Sequence, residues 1–483
     1  MGKFTVPVVT ALVCVLSGAP PIWAGTQHDW SPQITAYKEM VVNIETATEI
    51  VFETEEKGVS YATGFVVDAE NGIIATNAHV VGTSPSYVKI NFFDGSFTEA
   101  QTLYYDPVHD FGFYKIDPES LGFDLQAVTL GSWKKLAVGD EVLLIGNNEK
   151  EEYSIKFGAV ANLNVNKGRR YTSYIHTTFD RAGGSSGSPV WNTRGEVVGI
   201  HAAGNNTSSF ELPVDYIENA LATLQSGREI KRGGIGVDLD LVSTGEAFRH
   251  YRLPEDLADH LKSESNGVPK VIQVESVIAY SPAEGVLRPG DILFRVNGRI
   301  LKDDLYLLDQ ILNTHVGLAV EAEFYRNGAL KRAKLDVADL EAAKIDRFVR
   351  FAGGIFHEIT PKMRWYHDFD GEGVYMPYAD EGSSFSRVGY RNDDSGIYAV
   401  VIKEINGQQI HSLDDFIAAC AGLEDRTHTY VLRQDLALYQ QSVQPKNLSL
   451  NLQYGPLEVF EWNAGKLEWE ERPRTLNAKN ESR

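Results

Sequence analysis

Gly64-Phe65-Val66-Val67-Asp68-Ala69-Glu70-Asn71-Gly72-Ile73-Ile74-Ala75-Thr76-Asn77-Ala78-His79-Val80-Val81 is the stretch on which the reading turns. Two apolar runs, 64–67 and 73–76, flank Asn71-Gly72. Such a pair between β-forming runs is a strong hairpin signal, because the tight turn needs positive φ at both positions. Outward from this hairpin the same pattern recurs. Tyr87–Phe92, Phe111–Ile116, Glu141–Ile145, Lys156–Ala161, Tyr174–Thr178 and Glu196–His201 are short runs rich in Val, Ile, Phe and Tyr, separated by Gly, Asn and Asp. Many short strands at regular spacing predict an all-β barrel or sandwich. Upstream, Ile34, Tyr37, Met40, Val41 and Ile44 keep near-helical spacing, with the first strand expected near Ile50-Val51-Phe52. Downstream, Leu212–Leu224 reads as a closing helix.

Within this β-rich region lie residue types that can make a nucleophilic serine. Gly183-Gly184-Ser185-Ser186-Gly187-Ser188-Pro189 sets serine hydroxyls on a tight turn, where backbone N–H groups can aim at a developing oxyanion. Taken alone, it reads first as a flexible Gly/Ser loop. His79 closes a strand, and Asp110, in Asp106-Pro107-Val108-His109-Asp110-Phe111, precedes another. Each alone is commonly a structural, surface or turn residue. A triad needs all three, since histidine takes the serine proton while a carboxylate orients the imidazole and stabilises its charge.

On these motifs, residues 50–225 resemble the trypsin-like protease domain of the HtrA (high-temperature-requirement) serine proteases. Thr76–Val81 matches the family's histidine motif. Asp106–Asp110 matches its D-P-x-x-D-x-A segment, with Phe111-Gly112 replacing Leu-Ala, and Ser186-Gly187-Ser188-Pro189 stands where the family has S-G-G-P or S-G-G-A. The resemblance implies His79 as general base, Asp110 as its orienting carboxylate and Ser186 as nucleophile, with the Gly184 and Ser186 N–H groups as oxyanion hole, helped by Ser185. Ser185 and His109 stand as competitors for nucleophile and base, but the glycine after Ser186 and the motif around His79 favour the assignment given. Gly-Ser-Ser-Gly-Ser in place of Gly-Asn-Ser-Gly-Gly is a departure compatible with the chemistry. Asp180 is a further one. It lies six residues before Ser186, at the base of the primary specificity pocket of trypsin-like enzymes, and there could select basic residues. HtrA relatives prefer small aliphatic ones, and the adjacent Arg181 can neutralise Asp180.

After a polar linker at Ser226-Gly227-Arg228, two segments repeat one outline. Gly233-Gly234-Ile235-Gly236-Val237 leads to Asn297-Gly298 and the helical Leu305–Leu312; Gly353-Gly354-Ile355-Phe356 leads to Asn406-Gly407 and the helical Leu413–Cys420. Both resemble PDZ domains. The match is specific at Ser281-Pro282-Ala283 through Val296-Asn297-Gly298. It implies that Gly234, Ile235, Gly236 and Val237 cradle a peptide C-terminus while the peptide adds as a strand. The second unit is degenerate, because Gly354-Ile355-Phe356-His357 lacks the second glycine.

The expected fold is therefore mainly β: a trypsin-like double six-stranded β-barrel over 25–225, PDZ domain 1 over 230–340, a degenerate PDZ-like domain 2 over 346–436, both α+β, and an extension over 437–483. With 45 basic against 66 acidic residues the net charge is −21, which repels phosphate backbones and disfavours a nucleic-acid role. Residues 1–24 read as a signal peptide: Lys3, a short apolar core, then Ala24 before Gly25. Its removal leaves Cys420 as the single cysteine, hence no intrachain disulfide, which together with export suits a bacterial periplasm. No metal-binding spacing occurs, and no cofactor is expected. The functional expectation is an ATP-independent serine endopeptidase acting through an acyl-enzyme on unfolded or mislocalised exported proteins. The resemblance implies a homotrimer or larger assembly. The alternatives are a non-cleaving peptide-binding chaperone or scaffold, and a narrow-specificity processing protease.

Overall fold

The computed structural model describes residues 28–472 apart from 54, 149–150, 167–170, 181–183, 206–207, 264–267, 362, 365–371, 389–398 and 437–439. The expected signal segment lies outside the described residues. Strands β1 (Val41–Thr48), β2 (Gly58–Asp68), β3 (Ile73–Thr76), β4 (Ser86–Asn91), β5 (Phe97–Tyr105) and β6 (Gly112–Lys115) close a barrel in the order β1-β2-β3-β6-β5-β4. The hairpin at Asn71-Gly72 joins β2 to β3. Gly72 has φ +63°, and a Cβ there would sit 2.4 Å from the Ile116 carbonyl oxygen, so the turn requires glycine.

A second barrel follows. β7 (Thr129–Leu130) lies parallel on β12 (Glu196–Asn205). β8 (Glu141–Asn148), β9 (Glu151–Val165), β10 (Tyr174–Thr177), β11 (Pro189–Asn192) and β13 (Ser208–Pro213) complete the ring β11-β8-β9-β10-β13-β12, closed by pairing of β11 with β12. Closure removes sheet edges and forces side chains to alternate between interior and exterior. One apolar cluster welds the barrels together, combining Val41, Phe65 and Phe113 with Leu143, Trp191 and Leu212.

Two details differ from the sequence expectation. Helical spacing over 34–44 becomes helix only at α1 (Ile34–Glu39). Val41, Val42 and Ile44 belong to β1: Val41 faces the seam between the barrels, while Val42 and Ile44 face the first barrel's interior. A strand buried on both faces loses its period-two signature and can be read as helix. Ile50–Phe52 forms no strand. It is part of a strap in which Phe52, fully buried, packs against Phe348, His357 and Trp469 of the C-terminal unit.

The helix α2 (Ala78–Val81) carries His79, and α3 (Val214–Gln225) closes the second barrel. Next come β14 (Gly233–Gly234), β15 (Val237–Ser243), α4 (Thr244–Tyr251), α5 (Glu255–Ser263), β16 (Lys270–Val277), β17 (Ile292–Val296), β18 (Arg299–Ile300), α6 (Leu305–Asn313), β19 (Ala319–Arg326) and β20 (Ala329–Asp336). Their sheet runs β15-β16-β17-β19-β20, with β15 on its edge. β21 (Ala338–Asp339) pairs back with β14.

The last unit contains β22 (Arg347–Phe351), β23 (Gly354–Glu358), β24 (Val374–Ala379), β25 (Ala399–Ile405), β26 (Gln408–Gln409), α7 (Leu413–Cys420), β27 (Thr427–Leu436), β28 (Gln440–Ser449), β29 (Glu458–Asn463) and β30 (Glu468–Glu471). Its sheet runs β28-β27-β25-β24-β23-β22-β29-β30, so most of the stretch set apart as an extension is woven into this unit. The repeat is structural as well as textual. Asn297-Gly298 and Asn406-Gly407 both have positive φ at both residues. Each asparagine exchanges a pair of hydrogen bonds with the strand after the helix: Asn297 with Glu321, Asn406 with Thr429.

His357 fastens the strap. It is buried, its Nδ1–H donates to the Glu358 carbonyl at 2.7 Å, and its Nε2 accepts the Glu53 N–H at 3.0 Å. Burial holds the imidazole down to about 4, because a protonated ring would set a second donor against the Glu53 N–H. The unfolded chain takes up the proton first, so this contribution is complete above pH 6.5 and is lost as pH falls towards 4. It amounts to about 3 kcal/mol. His357→Gln keeps an acceptor without a titrating group; thermal unfolding at pH 7 and pH 4.5 is expected to show a smaller acid-induced drop than in the parent.

Candidate active site

His79 stands one residue into α2, directly after β3, and β3 pairs with β6, whose first residue lies two beyond Asp110. The Asp110 carboxylate accepts the His79 backbone N–H at 3.0 Å and approaches Nδ1 at 2.8 and 3.0 Å. Asn77 Nδ2 donates to the Asp110 carbonyl at 2.9 Å, tying the two loops together. Partial desolvation opposes the imidazolium, although the His79 side chain stays half exposed, and attraction to Asp110 with the hydrogen bond to it outweighs that cost and holds His79 above the ordinary imidazole range. With Nδ1–H given to Asp110, Nε2 is left to accept a proton.

Ser186 lies on the turn entering β11. Gly184 and Gly187 both have φ +86°, which brings the turn tight against the first barrel. Thr63 of β2 donates its N–H to the Ser186 carbonyl at 2.9 Å and its hydroxyl to the Gly184 carbonyl at 3.0 Å. On the other side Gly187 N–H donates to the His201 carbonyl, and His201 N–H to the Ser188 carbonyl. The serine turn is thus sewn to both barrels. Ser185 is buried, whereas Ser186 is partly exposed. Among the described residues no hydrogen bond joins Ser186 to His79; catalytic contacts are often long until substrate binds. Ser188 stands where a second glycine is usual. It fits because its neighbour is Gly146: a Cβ there would lie 1.8 Å from Ser188 Oγ.

The two competitors are otherwise engaged: Ser185 by burial, and His109 because both its ring nitrogens have partners, Thr172 Oγ1 at 2.9 Å and Asp309 Oδ1 at 3.0 Å. Asp180 has a side chain 80% exposed, and Lys156 lies 3.4 Å from its carboxylate and donates to its carbonyl at 2.7 Å. Arg181 lies outside the described residues. Cys420 is buried, and burial pushes its thiol far up, as suits an inert core residue.

A buried cluster behind the serine turn carries no signal in the sequence. Glu211, fully buried, accepts from Thr177 and Ser209 hydroxyls at 2.7 and 2.6 Å and lies 3.0 Å from His201 Nδ1. Nor does the sequence mark Glu55, whose carboxylate accepts from Thr83 N–H and hydroxyl and from Ser84 N–H, fixing the loop after the His79 helix. Both are single acidic residues in strand or loop text, where solvated positions are the ordinary expectation.

In the first PDZ unit the Ile235 and Gly236 carbonyls accept from Ala283 and Ile278 N–H groups, and Gly236 has φ +75° over Ser281. This loop opens, together with His79 and Asp110, into one cleft of about 610 Å³. In the second unit the corresponding turn is Ala352-Gly353 rather than 354–357: Gly353 has φ +82° and sits over Ser383 as Gly236 sits over Ser281. Ala352 N–H is taken by the Gly455 carbonyl, and β23 is flanked by β22 and β24. No edge of β23 is left for an added strand. Among the described residues no group of three or more His, Cys, Asp or Glu could hold a metal ion.

A double β-barrel with a carboxylate-held histidine and a glycine-flanked serine turn defines a trypsin-like serine protease, here joined to two PDZ domains. Family models agree: a trypsin-like peptidase domain matches residues 62–200, a PDZ domain 233–337 and a PDZ-like domain 343–426. The chain is similar to the "Pro-apoptotic serine protease NMA111" of Vanderwaltozyma polyspora, 31% identical over 417 residues, 83% of this chain and 41% of that protein. It is likewise similar to its counterpart in Aspergillus clavatus, 32% identical over 414 residues, 83% and 39% of the two chains. The chain therefore spans about two fifths of the length of these relatives. A solved HtrA-type protease, AlgW with a tripeptide, overlaps in outline, with a TM-score of 0.48 and 23% identity over 64% of this chain and 97% of that one. The chain thus carries a trypsin-like peptidase domain followed by two PDZ domains and is related to the NMA111 serine proteases. No helix among the described residues is long and apolar enough to cross a membrane.

Gly187 leaves no room for a side chain against the backbone: a Cβ would lie 1.9 Å from the Thr63 carbonyl oxygen, at φ +86°. Gly187→Ala is expected to shift the serine turn and slow fluorophosphonate labelling by about 100-fold or more.

Proposed function

We propose that this chain is an endopeptidase in which His79 Nε2 takes the Ser186 Oγ proton as Oγ attacks the scissile carbonyl. Asp110 holds Nδ1 and stabilises the imidazolium. The N–H groups of Gly184 and Ser186 receive the oxyanion. Collapse of the tetrahedral adduct passes the His79 proton to the leaving amine and leaves an acyl-enzyme, which water hydrolyses by the same route. The observation that carries this reading is the three-point hold of Asp110 on His79, which fixes the imidazole tautomer with Nε2 unprotonated.

The substrates proposed are unfolded or mislocalised exported polypeptides, cut without ATP. Peptide C-termini would dock at Gly234–Val237, where β15 presents an edge. The closed strand β23 makes the second unit a structural module. Assembly as a homotrimer or larger and export through residues 1–24 belong to the same proposal. The relatives reported are fungal and lend the periplasmic setting no support, so that part rests on the leader-like segment and the cysteine count.

The test is incubation of the purified chain with casein beside Ser186→Ala, with cut sites mapped by mass spectrometry. Ser186→Ala is expected to lower kcat by about 10⁶-fold, and Asp110→Ala by about 10⁴-fold. Cleavage by both parent and Ser186→Ala would overturn the choice of nucleophile. No cleavage by the parent, even with added C-terminal peptides, would favour a peptide-binding chaperone. Because Asp180 is exposed and faces Lys156, Asp180→Asn is expected to leave the residues preceding the cut sites unchanged; loss of cuts after Lys or Arg would show a trypsin-like pocket.

A further inference from the structure

His109 precedes Asp110 in the chain, and the proposed chemistry makes no use of it. Its side chain is wholly inaccessible, and its ring packs on Tyr216 at 4.1 Å between centroids. Nε2 meets Asp309 Oδ1 at 3.0 Å, across the domain boundary, on α6 of the first PDZ unit. Asp309 is 1% exposed, and its other oxygen accepts from Asn313 Nδ2 at 2.9 Å and Gln310 Nε2 at 3.1 Å. A carboxylate so enclosed persists only with its acceptors filled, so Asp309 and His109 fix each other's position.

The rest of the 106–110 segment is held from outside its own barrel as well. Asp106 accepts the Val108 and His109 N–H groups at 2.8 and 2.7 Å and is paired with the buried Arg232 of the interdomain linker. Val108 belongs to the apolar cluster of the PDZ unit, beside Ile235 and Leu308. The charged and titratable groups around the loop include Asp106, Asp110, His79, Arg232, Asp309 and His109, with Glu341 and Lys344 beside Tyr104 and the phenols of Tyr104, Tyr171 and Tyr216. His109 and Asp110 share a peptide unit, and Phe111 N–H closes back on the His109 carbonyl at 2.8 Å. Displacing the imidazole of His109 therefore turns the backbone that aims Asp110.

We propose that Asp309 is a positioning residue for the protease: by anchoring His109, the first PDZ unit sets the Asp110 carboxylate on His79. The inference rests on the triad reading above.

The test uses the full chain with Asp309→Ala and Asp309→Asn, the second retaining an oxygen to accept the imidazole N–H. Two quantities are read: the titration midpoint of His79, from its ring-proton resonance, and kcat and KM for casein-derived peptides. In Asp309→Ala the His79 midpoint is expected to move down, because Asp110 no longer supports the imidazolium, and kcat to fall by about tenfold to a hundredfold with KM little changed. Asp309→Asn is expected to move both in the same sense by less. Should Asp309→Ala not fold, Asp309→Asn decides. A His79 midpoint equal to the parent's in every folded variant overturns the proposal and leaves the pair as domain cement. Absence of cleavage by the parent would count against the protease reading instead, since the His79 titration is read without any turnover.

Discussion

A carboxylate sealed from water must be neutral or fully paired, and Asp106 is paired. Arg232 and the backbone of its own turn hold it down to about 2, against a burial cost that alone would push it up. It gathers three segments at one point: the end of β5 through Tyr104, the linker through Arg232, and the loop leading to Asp110 through the Val108 and His109 amides. Barrel, linker and PDZ unit can dock in one arrangement only if this charge is satisfied, because leaving it unpaired would cost several kcal/mol. The order around the histidine–aspartate couple follows from that constraint.

Each PDZ unit reaches one member of the couple. The first meets the Asp110 loop through His109 and Val108. The second grips the strap at Phe52 and Glu53; the Glu55 N–H closes back on the Phe52 carbonyl, and Glu55 fixes the loop behind His79. Ser186, by contrast, is held by the barrels themselves, through Thr63 and His201. The three residues of the proposed triad therefore have different surroundings: the serine turn is held by the peptidase fold alone, whereas the loops of His79 and Asp110 are also touched by the units attached to it.

Much of this was legible in the sequence because it is written in local signals. Asn297-Gly298 and Asn406-Gly407 are turns with positive φ at both residues, Gly72 alone carries it in the Asn71-Gly72 turn, and Leu413–Cys420 is a helix from its first apolar residue to its last. The histidine, aspartate and serine motifs stood out through their glycines and strand-end placement. What escaped the text was non-local. Nothing about Glu211, Asp309 or Arg232 distinguishes them from solvated charges until the fold sets their partners 10, 200 and 126 residues away beside them. β1 misled for a related reason, since burial on both faces erases the alternation that marks a strand. The second carboxylate-type loop slipped in register because the eye follows glycines, whereas the structure follows the serine beneath the turn.

The strap has a consequence in time. Phe52 lies among Phe348, His357 and Trp469, so a segment made early in synthesis finds its seat only once the strands of the last unit have been made. Domains emerging from a ribosome fold from the N-terminus onward, and the barrels can close before that seat exists. The loop behind the histidine is thus braced from the strap's side only after both barrels have been made, so the order of synthesis separates the closing of the barrels from the fixing of that loop.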